Sequence, residues 1–280
     1  MPKEDKQILK LDRKVEELRL TRSFESSQEG RKVMEEVFDN LTLGVIFKLT
    51  CEKRIASVDF PVSTGKEGNV FRATAPDGTF VALKIYRTSN ATFKNIAKYI
   101  EGDTRFKGLT GNPRKLIYAW CTKEFKNLNR LEQAGVRVPH PKRFMKNVIV
   151  MDYLGDQVMA APQLRSVRLD EPQKVYREII RFMKRAFQKA KLVHGDLSEY
   201  NILMHDGMPY IIDCGQAMLT DHPIFVVFLV AVLAPLIAQT RLGSRMPVVV
   251  FEVMLGVVVG PQVLGLVADH GFLSFMREVG

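Results

Sequence analysis

Residues 57–86 read SVDFPVSTGKEGNVFRATAPDGTFVALKIY, and this stretch decides the fold. Apolar and polar residues alternate, β-branched and aromatic side chains are frequent, and Pro76-Asp77-Gly78 supplies a turn. The pattern predicts a β-hairpin with a Gly-bearing turn ahead of it. In that turn Gly65 and Gly68 carry no Cβ, so backbone N–H groups are free to approach an anion such as phosphate. Lys84, on the buried strand VALKIY at residues 81–86, is placed to neutralise phosphate charge if a carboxylate holds it. Taken alone, a Gly-x-x-Gly turn is usually only a turn, and a strand lysine is usually a solvated edge residue. The segment is not a Walker A loop, because Gly65-Lys66 is followed by Glu67 where Ser or Thr would bind the metal.

Working outward, residues 87–115 have no clean period, end near Gly111-Asn112-Pro113 and hold seven Lys or Arg against Glu101 and Asp103. They predict a long mobile loop, or a short helix within one, able to cover a phosphate. Residues 116–134 predict a helix through Trp120, Phe125, Leu128 and Leu131, stopping at Gly135. Glu124 on that helix is the candidate partner for Lys84. Residues 148–153 predict a buried strand. Residues 173–191 predict a second helix whose stripe includes Val175, Ile179, Phe182, Met183, Ala186, Phe187 and Ala190. Trp120, Phe182 and Phe187 read as core. Residues 202–204 and 210–213 are expected to pair across an Asp206-Gly207 turn.

The loop HGDLSEYNIL at residues 194–203 sets Asp196 and Asn201 five positions apart. One carboxylate there orients an attacking hydroxyl, while the amide oxygen binds a metal without adding charge. Asp213, at the end of the following strand and freed to turn by Gly215, supplies the anionic metal ligand. Two hard oxygen donors suit Mg²⁺ or Mn²⁺ rather than zinc. His194 reads as structural, a backbone holder rather than a catalytic base. The order of the four segments, each in a fitting strand, turn or loop, points to phosphoryl transfer from a metal nucleotide.

The chain has 280 residues, 46% of them apolar, which is ample for a buried core and excludes disorder and a disulfide mini-scaffold. Forty-one Lys and Arg against 31 Asp and Glu leave a net charge of +10, favouring anionic partners such as nucleotide or RNA. From Pro223 onward three basic residues balance three acidic ones, so the whole excess belongs to residues 1–222. No RNA-binding motif accompanies it. Cys51, Cys121 and Cys214 are scattered, with no C-x-x-C pair, so neither a disulfide framework nor a zinc site is indicated. Residues 3–37 predict amphipathic helices, too charged for a signal peptide, and residues 1–222 are expected in the cytoplasm.

With these residues in hand, the sequence resembles the RIO family of atypical serine/threonine protein kinases, in particular the archaeal type with an STGKE loop. STGKEGNVFRA, ALKIYRTS, GNPRKLIYAWCTKEFKNLNRL, VHGDLSEYNIL and IIDCGQAMLTDHP carry the likeness, over residues 10–222. The resemblance implies an α+β, two-lobed protein kinase-like fold of RIO type. It implies that Ser63, Thr64, Gly65, Lys66, Glu67, Gly68, Asn69 and Val70 cover the phosphates of ATP, that Lys84 and Glu124 pair, and that Met151, Tyr153 and Leu154 form the hinge under adenine. It also implies that Asp196 is the catalytic base, that Asn201 and Asp213 bind Mg²⁺, that Asp213 transiently takes the phosphate, and that residues 88–112 are a flexible loop. Members phosphorylate serine, including their own, or act chiefly as ATPases in maturation of the small ribosomal subunit, so protein substrate, pre-ribosomal particle and rRNA are the implied partners.

After Asp221-His222-Pro223 the sequence departs from the family. PIFVVFLVAVLAPLIAQT at residues 223–240 holds 18 uncharged residues, about 27 Å as a helix and near a bilayer's hydrocarbon thickness. RMPVVVFEVMLGVVVGPQVLGL resembles the start of a Kef-like cation/proton antiporter, which makes membrane association through residues 223–280 an expectation. The alternative is a divergent pair of buried C-lobe helices. The expected organisation is a helical extension at 1–53, an N-lobe at 54–152, an abbreviated C-lobe at 153–222 and the apolar tail. A small-molecule phosphotransferase and a non-catalytic ATP-binding assembly factor are the rival functions.

Overall fold

The computed structural model describes residues 38–65, 68–88, 96 and 112–220. The predicted amphipathic arm before residue 38, nearly all of the loop at 88–112 and the apolar tail lie outside the described residues. Among the described residues, no helix is long and apolar enough to cross a membrane.

The alternating stretch becomes three strands, β1 (Ser57–Thr64), β2 (Gly68–Thr74) and β3 (Phe80–Tyr86), so the expected hairpin is one half of a meander. With β4 (Pro141–Met145) and β5 (Val148–Asp152) they form an antiparallel sheet in the order β1-β2-β3-β5-β4. Because strand side chains alternate between faces, each strand feeds two cores. Phe71, Leu83, Ile85, Val148 and Val150 pack upward against Val45, Ile46 and Leu49 of helix α1 (Asn40–Cys51). Asp39 caps that helix by accepting the Thr42 N–H at 2.7 Å. Ala82, Tyr86, Ile149 and Met151 belong to the lower core together with Leu116, Ile117, Trp120 and Leu128 of helix α2 (Pro113–Gln133).

Helix α2 starts earlier than its apolar spacing suggests. The Asn112 side chain accepts the Lys115 N–H at 3.1 Å, and Pro113 occupies the first turn, where its missing N–H matters least. The helix ends before Gly135, whose φ of +77° only glycine adopts without strain.

Beyond β5 the chain forms α3 (Pro172–Arg185), which widens into a π-helical turn at Ala186–Ala190 and stops at left-handed Lys191. The predicted stripe is wider than the face that is buried, since Met183 ahead of the π-helical turn is already 49% exposed. Phe182 is 1% exposed as expected, whereas Phe187 is 48% exposed and does not sit in the core. Short strands complete the segment: β6 (Leu192–Val193) pairs with β9 (Met218–Leu219), and β7 (Ile202–His205) with β8 (Met208–Ile211). Asp213 therefore lies beyond the strand in which its residues were expected to pair.

Candidate active site

Lys84 sits on the lower face of β3, opposite Val70 in β2 and Ile149 in β5. Its Nζ lies 2.8 Å from Glu124 Oε1 and 2.9 Å from Asp213 Oδ1. Three elements distant in sequence thus meet at one ammonium group. The Glu124 side chain is 2% exposed and that of Asp213 is 50% exposed, so one carboxylate is an internal anchor and the other opens into the cleft. Burial alone would lower the Lys84 pKa, but the carboxylates of Asp213 and Glu124 overcome it and raise it. The Lys84 ammonium in turn holds Asp213 below the usual carboxylate range. Burial pushes Glu124 up to about 7 against the pull of Lys84.

Helix α2 positions more than Glu124. Trp120, Glu124 and Asn127 are spaced so that they share one helical face. Asn127 Nδ2 donates to the carbonyl oxygens of Cys214 at 2.9 Å and Ala217 at 3.3 Å, gripping the 3₁₀ turn Cys214–Gln216. The turn's conformational freedom does not come from Gly215, as the sequence suggested. The left-handed residue is Asp213 itself, at φ +58°. Gly215 gives close approach instead, because a Cβ there would stand 3.1 Å from Trp120 Nε1 and press on the indole. Neither Trp120 nor Asn127 was assigned a site role from sequence. The available signal was a buried amide one turn beyond Glu124 in an otherwise apolar stripe.

The loop at 194–201 is tied to this turn through polar contacts. His194 Nε2 lies 3.0 Å from the Ile212 carbonyl oxygen, and the Asp196 N–H points at His194 Nδ1 at 3.3 Å. This pattern requires a neutral ring with its proton on Nε2, in keeping with burial lowering the His194 pKa. Asn201 Nδ2 donates to the Asp196 carbonyl at 2.8 Å and to Asp196 Oδ2 at 3.1 Å. The Ile212 N–H donates to the Asn201 carbonyl oxygen at 3.0 Å, which sets Asn201 beside the approach to Asp213. With its amide nitrogen turned to Asp196, Asn201 keeps its amide oxygen for a cation. That oxygen and the half-exposed Asp213 carboxylate are hard donors, a set that fits Mg²⁺ completed by phosphate and water.

Ser63 and Thr64 end β1 at the exposed tip of the sheet, paired with Val70 and Asn69. Lys66 and Glu67 lie outside the described residues. The Gly65 N–H is shared between the Gly68 carbonyl at 2.9 Å and Asn69 Oδ1 at 3.2 Å. Gly68 serves the sheet before any ligand, since a Cβ there would come within 2.6 Å of the Ile85 carbonyl oxygen. Asn69 is fully buried on the face away from Lys84 and holds the loop from behind, while Val70 faces the lower core. Met151 and Leu154 are each 8% exposed where β5 leaves the sheet, with Tyr153 between them. A cavity of about 490 Å³ at this junction is lined by Arg137, His140, Tyr153, Leu154, His205 and Tyr210; none of Lys84, Asp196, Asn201 and Asp213 lines it.

A sheet lysine held by a helix carboxylate, facing an Asp/Asn loop and a second aspartate across a cleft, defines a protein kinase-like fold. The RIO domain family matches residues 69–231. The chain belongs to this family. It is 44% identical over 192 residues to the RIO-type serine/threonine-protein kinase Rio1 of Haloferax volcanii, covering 69% of this chain and 66% of the relative. It is 37% identical over 227 residues to Rio1 of Methanocaldococcus jannaschii, covering 78% and 77%. With human serine/threonine-protein kinase RIO1 it shares 41% identity over 203 residues, 71% of this chain but only 36% of that protein. Among solved structures it resembles the Rio2 kinase-ADP/Mg2+-phosphoaspartate complex from Chaetomium thermophilum, with a TM-score of 0.53 and 25% identity over 69% of this chain and 57% of the other.

Proposed function

We propose that the chain is an ATP- and Mg²⁺-dependent serine/threonine protein kinase and ATPase, and we read its STGKE loop as that of the archaeal RIO type. The observation that carries this reading is the double contact of Lys84 with Glu124 and Asp213 above the Asp196/Asn201 loop. Glu124 fixes the ammonium where the α and β phosphates bind, and the loop at 63–70 covers them. Met151, Tyr153 and Leu154 border the base. Asn201 and Asp213 would hold Mg²⁺, which when bound would supply neutralisation of the charge that builds up on the phosphates. Asp196 accepts the proton of the attacking serine or threonine hydroxyl, or of water in the ATPase reaction. Where Asp213 is the acceptor, its carboxylate oxygen forms the new bond to the γ-phosphorus as the bond to the ADP oxygen breaks. The phosphoaspartate of the Chaetomium Rio2 complex supports that route.

The setting we assign is maturation of the small ribosomal subunit, supported by the RIO membership and by a net charge of +10 suited to an RNA partner. Replacement of Asp196 tests the chemistry. Asp196→Ala is expected to lower ATP turnover by about 10²- to 10⁴-fold while leaving the affinity for a fluorescent ADP analogue largely intact. Unchanged turnover would remove Asp196 from the reaction.

A further inference from the structure

The register that sets Val70 opposite Lys84 also sets Arg72 opposite Ala82, on the same lower face and one pleat nearer the hinge. Arg72 is a charged residue in a place where the neighbouring strands offer apolar side chains. Its guanidinium lies between two rings, 4.3 Å from the Phe60 centroid and 4.2 Å from that of Phe80. Nε is paired with Asp59 Oδ2 at 2.9 Å, and Asp59 is braced in turn by Ser57 and Thr74 hydroxyls. Phe80 meets the hinge residue Tyr153 edge-on, with centroids 6.1 Å apart.

The remaining arm of the fork leaves the sheet. Arg72 Nη1 donates to the Gln157 carbonyl oxygen at 2.6 Å, 85 residues away and just past the hinge. The receiving segment is braced within itself. Gly155 bridges Ala160, and Asp156 Oδ1 accepts the N–H groups of Val158 and Met159, both at 2.7 Å. At Gly155, φ is +151° and a Cβ would stand 2.5 Å from the Met159 carbonyl oxygen, so the segment keeps a single tight shape. A side chain that merely filled space between Phe60 and Phe80 would not need to cross to the other lobe. Only arginine offers a planar fork that stacks between rings while pairing with a carboxylate on one edge and a carbonyl on another.

We propose that Arg72 is a positioning residue that latches the sheet to residues 155–160 and so sets how firmly the cleft closes on its nucleotide. The proposal rests on the phosphotransferase reading for the nucleotide, but not for the latch itself. In the full chain, Arg72→Met is expected to speed amide hydrogen exchange across residues 155–161 and to raise the release rate of a fluorescent ADP analogue about tenfold. Unchanged exchange would overturn the latch, and faster exchange with unchanged release would overturn its link to the nucleotide. If Arg72→Met does not fold, Asp59→Asn, which removes the carboxylate brace and leaves the arginine, carries the same two readouts with a smaller rise of about threefold. Failure of the unsubstituted chain to bind the analogue would instead strike the phosphotransferase reading.

Discussion

In the sheet, Phe71, Leu83, Ile85, Val148 and Ile149 are fully buried between α1 and α2, whereas past the hinge α3 buries Val175 and Phe182 and leaves Tyr176 61%, Met183 49% and Phe187 48% exposed. Past the hinge the buried residues are fewer, chiefly Leu192, Ile202, Ile211, Cys214 and Ala217, and polar contacts add to them. Burial on both faces fixes the sheet, and with it Lys84. The Asp196/Asn201 loop and the turn after Asp213 depend on hydrogen bonds from His194, Asn201 and the α2 side chain Asn127. The candidate active site thus joins a lysine set by packing to a loop and turn held by burial and polar contacts together, with α2 as the element common to both.

The largest expected effect probes that division directly. Phe71→Ala should destabilise the chain by about 3–5 kcal/mol, while Met183→Ala should stay within about 0.5 kcal/mol, both read from denaturant midpoints. Comparable losses at the two sites would break the contrast.

An intermediate effect is expected where the regions meet. Lys84→Met leaves Glu124 buried without its cation and should cost about 1–3 kcal/mol, with Lys84→Met/Glu124→Gln losing no more than the single variant. A carboxyl whose folded value lies above its unfolded one binds its proton more tightly when folded, so its contribution to stability falls as pH rises. For Glu124 that fall runs from about 4.5 to about 7, and without Lys84, whose charge holds the folded value down, it should continue to higher pH. A Lys84→Met variant whose deficit is flat from pH 5 to pH 8 would show that Glu124 is not its source.

The smallest effect belongs to the polar side. Burial depresses the His194 pKa, so the unfolded chain takes up that proton first, and the stability it confers is present above pH 6.5 and lost as pH falls through its folded value. His194→Gln should flatten the stability profile over that range, and an unaltered slope would place the titration elsewhere.

Much of this was legible along the chain alone. Period-two alternation marked β2 and β3, since residues on one pleated face answer to one core. Asn112 and Pro113 carried the true start of α2, but the apolar spacing drew attention three residues further on. Other features left no local trace. That Met183 and Phe187 fall outside the buried face depends on where α3 packs rather than on residue type, and the face on which Asn69 lies follows from pairing with β3 rather than from the STGKEGN string.

By itself the sequence determined which side chains are candidates for the chemistry, because lysine, aspartate and asparagine are suited to it by charge and donor type, and their strand, helix and loop settings follow from neighbours a few positions away. Only the tertiary structure decided their supports. That Lys84 reaches Glu124 and Asp213 together, that Asp213 rather than Gly215 takes the left-handed turn, and that Arg72 crosses to Gln157 are contacts between residues tens of positions or more apart, or consequences of such contacts. Such pairings arise from how packed faces meet in space, and no spacing along the chain encodes them.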